Sequence, residues 1–84
     1  MKPEAEIRRA LREWVVSHGR GVTEKTLSDE TPLLERRVIT SLQIMDLILL
    51  VEELSGKRID VQQLKPGVFH NINAIMLRFF GEMN

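Results

Sequence analysis

Apolar residues return along this chain with a helical period. Ile7, Ala10, Leu11, Trp14 and Val15 fall at i, i+3, i+4, i+7 and i+8, so they share one face of a helix over residues 4–17. Glu6, Arg9, Arg12 and Glu13 take the other side. Pro3, Glu4 and Glu6 suit a first turn, where proline has no N–H to leave unpaired and acids meet the positive end of the helix dipole. Gly19 and Gly21 stop this segment. A second helix is predicted over residues 41–55, with Ser41 as its cap and Gly56-Lys57 at its end. Nine of its thirteen residues 42–54 are apolar, more than one stripe can hold. Such a helix is either central in its bundle or presents part of its surface to a partner or ligand. A closing helix over residues 72–83 carries Ile72, Ile75, Met76, Phe79 and Phe80 at the same spacing, with Asn71 as cap and Gly81 fraying its end.

The connections are less regular. Val61-Gln62-Gln63-Leu64 has room for one turn before Pro66-Gly67 breaks it, and counts as a short third helix. Residues 18–40 are too long for an ordinary structureless loop. Val22, Leu27, Leu33, Leu34, Val38 and Ile39 would pin them to the helices, with a helical turn near Thr23–Leu27. No stretch alternates cleanly enough for a buried strand. The pattern is therefore all-α.

Length and charge narrow the function. The 84 residues suffice for one core, so residues 1–84 are read as a single domain. Twelve bases balance twelve acids, which disfavours a nucleic-acid binder. Arg8, Arg9, Arg12, Arg36 and Arg37 are the only support for one, and acids intersperse most of them. With no cysteine there is no disulfide, thiolate metal site or cysteine nucleophile. His18 and His70 are too far apart in sequence to make a metal cluster alone. No apolar run reaches the length of a membrane span, and Met1-Lys2-Pro3-Glu4 does not open a signal peptide. No convergent acid, base and nucleophile is visible, so no catalytic residue is expected. The expectation is a monomeric cytoplasmic protein that is not an enzyme.

One stretch carries a resemblance. Thr31-Pro32-Leu33-Leu34-Glu35-Arg36-Arg37-Val38-Ile39-Thr40-Ser41-Leu42 resembles the approach to the Asp-Ser-Leu motif of acyl carrier proteins. The similarity continues through Asp46, Val51-Glu52-Glu53-Leu54, Gly56 and Ile59. It closes on Leu64-Lys65-Pro66-Gly67-Val68-Phe69-His70-Asn71-Ile72-Asn73-Ala74-Ile75 and so covers essentially the whole chain. The resemblance implies a four-helix bundle with a long first loop and a short third helix. It also implies that Ser41 receives 4′-phosphopantetheine from coenzyme A through a phosphopantetheinyl transferase. The arm's thiol would then carry acyl groups as thioesters to acyl-loading, acyl-transferring or condensing enzymes. A serine at a helix N-terminus places the added phosphodiester where backbone N–H groups and the dipole favour negative charge.

The remaining site residues follow from Ser41. Leu42, Met45 and Leu49 lie at i, i+3 and i+7 and form either core or a surface that meets partners or shelters the acyl chain. Asp46, Glu52 and Glu53 match the acidic recognition helix of the family, against the plain alternative of a solvated face. Leu47, Ile48, Val51, Trp14 and Phe79 are assigned to the core and His70 to a polar junction, and Arg36 and Arg37 to solvated charge, against the alternative of a contact with coenzyme A phosphates or an acidic partner. Two departures point away from a housekeeping fatty-acid carrier. Thr40 stands where the family commonly has aspartate, and Arg37 where it often has glycine. Together with the neutral charge they favour a specialised carrier of a lipid, polyketide or aminoacyl/peptidyl pathway. The alternative is a carrier-like interaction module without the arm.

Overall fold

The computed structural model describes residues 3–64 and 67–81. It is all-helical, with three α-helices and no strand among the described residues: α1 Glu4–His18, α2 Ser41–Ser55 and α3 Ile72–Phe80. The expected short third helix is a single 3-10 turn, Val61–Gln63, so the described residues hold three α-helices and not four. A run of three residues before Leu64, with no apolar stripe of its own, has too little to bury to sustain a longer helix.

The helix ends follow local chemistry. Pro3 sits one position earlier than expected, as the α1 cap, and its carbonyl accepts from the N–H groups of Glu6 at 3.0 Å and Ile7 at 3.1 Å. Gly19 ends α1 by donating to the Val15 carbonyl at 2.7 Å. A Cβ at Gly19 would lie 2.5 Å from that carbonyl oxygen and 2.8 Å from Val38 Cγ1, so the close passage of the chain demands glycine. Gly56 closes α2 in the left-handed conformation at φ 72°. Asn71 caps α3 as expected, its Oδ1 accepting from the Ala74 N–H at 2.7 Å. α3 ends at Phe80 with Gly81 as its C-cap in right-handed backbone, at the position where fraying was expected; residues 82 and 83 of the expected helix lie outside the described residues.

Helix α3 packs against both α1 and α2, which makes it the central element. Ile7, Leu11 and Val15 from α1, Leu47, Ile48 and Val51 from α2, and Ile72, Ile75, Met76 and Phe80 from α3 form the core. Trp14 and Phe79 stand at its margin instead: Trp14 stacks on the His18 ring at 4.6 Å, and Phe79 meets Phe69 at 5.7 Å.

Residues 19–40 are ordered onto this core by Leu27, Leu33, Val38 and Ile39, all buried, while Leu34 stays 42% exposed. The helical turn at 23–27 is present, with the Leu27 N–H donating to the Thr23 carbonyl at 2.9 Å. A polar clasp, not foreseen in the pattern, holds the middle of the segment. Asp29 Oδ2 accepts from Arg8 Nη1 at 2.7 Å and Asp29 Oδ1 accepts from Arg12 Nη1 at 2.8 Å. Arg8 also donates to Asn73 Oδ1 at 2.7 Å, Arg12 Nη2 to the Leu27 carbonyl at 2.9 Å, and the Asn73 N–H to the Asp29 carbonyl at 3.0 Å. One loop residue thereby joins α1 to α3. Two of the five arginines that supported a nucleic-acid interface are engaged inside the molecule.

Candidate functional site

The start of α2 departs from expectation in one informative way. Thr40, not Ser41, is the cap: Thr40 Oγ1 accepts from the Gln43 N–H at 3.3 Å, and the Thr40 N–H donates to Gln43 Oε1 at 2.9 Å, a reciprocal capping box. The Gln43 amide also donates from Nε2 to the His18 carbonyl at 2.8 Å, which ties the start of α2 to the end of α1. Ser41 is left as the first residue of the helix, exposed, and its hydroxyl makes no hydrogen bond among the described residues. Thr40 thus satisfies the helix end without involving its neighbour.

At about 100° per residue, Ser41, Met45, Leu49, Leu42, Glu53, Asp46 and Glu52 all fall within a sector of about 140° on α2. Leu47 and Val51 lie on the opposite side and Ile48 at the flank next to Ser41, and all three are buried. The apolar excess of this helix therefore faces outward: Leu42 is 85% exposed, Met45 53% and Leu49 60%. Burying a leucine or methionine contributes roughly 1.5–3 kcal/mol, so three such side chains in water forgo several kcal/mol of stability. Of the two alternatives for an over-apolar helix, α2 is the one with a face left outside the core.

The acids differ from one another. Asp46 and Glu53 are exposed and make no ion pair among the described residues. Glu52 is half-buried, and its Oε2 accepts from the Ile59 N–H at 2.7 Å. Its carboxylate anchors the chain that follows Gly56, a structural role that the acidic pattern did not reveal. A recess of about 260 Å³ lies between α2, the first loop and the turn before α3. Leu34, Ile44, Val68 and Phe69 give it an apolar lining, and His70 Nδ1 stands 4.0 Å from Glu35 Oε1 at its polar edge. Ile44 is one turn beyond Ser41. A larger depression of about 490 Å³, lined by Ser55, Arg58, Ile59, Leu77 and Phe79 among others, lies at the other end of α2, about 20 Å along the helix from Ser41.

Arg36 and Arg37 are both exposed in the turn that leads into α2. Arg37 has φ 56°, and its N–H donates to the Leu34 carbonyl at 3.0 Å. That is a left-handed conformation which glycine adopts freely and arginine adopts at a cost of about 1–2 kcal/mol. No group of three or more His, Cys, Asp or Glu side chains suited to a metal ion occurs among the described residues. No helix is long and apolar enough to cross a membrane among them either. The chain matches no protein-family model, and no curated protein matches it.

Proposed function

We propose that this chain is a specialised acyl carrier protein whose Ser41 bears 4′-phosphopantetheine. The observation that carries the reading is Ser41 itself: exposed at the first position of α2, released from capping by Thr40, and set at one end of an uncovered apolar strip. On this reading Ser41 Oγ attacks the coenzyme A phosphorus that carries the pantetheine arm, the bond from that phosphorus to the bridging pyrophosphate oxygen breaks, and adenosine 3′,5′-bisphosphate leaves with that oxygen and the electron pair. The hydroxyl proton passes to a base on the transferase, so the carrier needs no base of its own and is not an enzyme. The new phosphodiester sits at the α2 N-terminus, where the helix dipole favours it. The arm's thiol replaces the cysteine that the chain lacks, and tethering keeps its cargo at high effective concentration for each partner.

The described elements suit that role with one economy. The four-helix bundle of the family would be built here with its third helix reduced to the 3-10 turn Val61–Gln63. Leu42, Met45 and Leu49, with Asp46 and Glu53, would meet the transferase and the loading, transferring or condensing enzymes. Glu52 would support them through Ile59. The recess lined by Leu34, Ile44, Val68 and Phe69 is the nearest shelter for a short apolar cargo. A cytoplasmic monomer serving a lipid, polyketide or aminoacyl/peptidyl pathway is the setting this reading implies.

The neutral cap favours a second reading, in which the same apolar face binds partners without an arm. Incubation with coenzyme A, Mg²⁺ and a broad-specificity phosphopantetheinyl transferase separates the two. A single phosphopantetheine adduct by intact mass, absent in Ser41→Ala, is the expected result. No adduct with several transferases, or an adduct at another residue, would discard the carrier reading.

A further inference from the structure

The exposed face of α2 is divided by charge. Its first turn has no acid and its cap is neutral. The chain leading into it presents exposed Arg20, Arg36 and Arg37. Backbone bonds fix where these residues sit. The Arg20 N–H donates to the Val38 carbonyl at 2.8 Å, which brings residue 20 beside the approach to α2. The Arg36 N–H donates to the Pro32 carbonyl at 3.2 Å and the Arg37 N–H to the Leu34 carbonyl at 3.0 Å, within one tight turn. None of the three guanidinium groups makes an ion pair among the described residues. Farther along the same face, Asp46 and Glu53 are equally unpaired, and Leu42, Met45 and Leu49 lie among them.

Resting on the reading of Ser41 as arm-bearing, we propose that the enzymes built for this carrier present acidic side chains to the Arg20, Arg36 and Arg37 shoulder and an apolar recess to Leu42, Met45 and Leu49. Charges held by ordered backbone and uncompensated within the protein act on an approaching surface over roughly 8–10 Å at physiological salt. Opposite charge there speeds encounter, and like charge slows it and selects against the wrong partner. The shoulder is thus a specificity device: it admits acidic docking surfaces and repels those whose groove is basic at the same place.

The test is transfer from coenzyme A by a transferase with a basic carrier-facing groove, followed by intact mass at a series of salt concentrations. The charge-reversed R36E/R37E variant is expected to be modified with kcat/KM higher than the parent by at least about fivefold at low salt, the gain shrinking as salt rises. R20E/R36E leaves the positive-φ position untouched and should move in the same direction, which separates charge from any backbone effect at Arg37. Unchanged rates overturn the inference. Lower rates also overturn it and assign the arginines to the phosphates of coenzyme A. If parent and variants alike take no adduct, the Ser41 reading itself fails and this inference with it; an adduct formed at rates indifferent to charge removes the inference alone.

Discussion

Thr40 and Ser41 are adjacent, small and hydroxylated, yet the backbone gives them separate tasks. Thr40 has extended backbone, φ −101° and ψ 166°, so its oxygen turns back toward the Gln43 N–H. Ser41 is already inside the helix, and its hydroxyl has nothing to satisfy. The consequence is measurable by chemical denaturation. Thr40→Ala is expected to cost about 1 kcal/mol, because it opens the capping box. Ser41→Ala should leave stability within about 0.5 kcal/mol, because it removes no bond and introduces the best helix former. The reverse order would show that Ser41 caps the helix after all.

At the scale of the element, α2 is two helices in one. Its inner side supplies Leu47, Ile48 and Val51 to the core, and its outer side carries Leu42, Met45 and Leu49 in water. Leu47→Ala is expected to lower stability by about 2–5 kcal/mol, since a fully buried leucine leaves a cavity. Leu49→Ser, two residues on, should cost no more than about 1 kcal/mol, chiefly from helix propensity. Thermal or chemical unfolding of the two variants side by side checks the assignment of faces. A loss at Leu49 comparable with that at Leu47 would mean that the outer face is packed in solution. The sequence pattern predicted α2 over residues 41–55 and put Leu47, Ile48 and Val51 in the core, but it left Leu42, Met45 and Leu49 open between core and surface. That depends on α3, whose own stripe meets one side only.

Across the whole molecule, the clasp on Asp29 does what a short loop would do elsewhere. It draws the 19–40 segment onto α1 and α3 through two charge-assisted bonds and a backbone bond from Asn73. The side chains of Arg8, Arg12 and Asp29 are 28%, 33% and 27% exposed, so solvent screens part of their attraction. Asp29→Ala is expected to destabilise by about 1–2 kcal/mol, with loss of the partner bonds partly offset by rehydration of the two guanidinium groups. Hydrogen exchange should localise the effect, with faster exchange at the Leu33 and Ile39 amides, which are bonded within the fold to the carbonyls of His70 and Leu33. Unchanged exchange there would show that buried Leu27, Leu33, Val38 and Ile39 hold the segment unaided.

The extent of α1 and α2, the Asn71 cap, the Gly56 stop and most of the buried positions, among them Ile7, Leu11, Val15, Ile72 and Ile75, were legible in the amino-acid sequence. Each depends on residues within about one turn of one another, where spacing and hydrogen-bonding capacity suffice. Contacts between distant parts of the chain decided the rest. Asp29 became a clasp because α1 and α3 arrive with Arg8, Arg12 and Asn73. Glu52 became an anchor because Ile59 folds back to it. Gly19 became obligatory because Val38 passes within van der Waals distance. Trp14 and Phe79 stand at the margin, against His18 and Phe69. A side chain's type sets what it is able to bond, and only the packed fold determines which partner reaches it first. The apolar excess of α2 was visible from the start. The outward direction of that excess beside Ser41, which supports the carrier reading, was settled by tertiary packing.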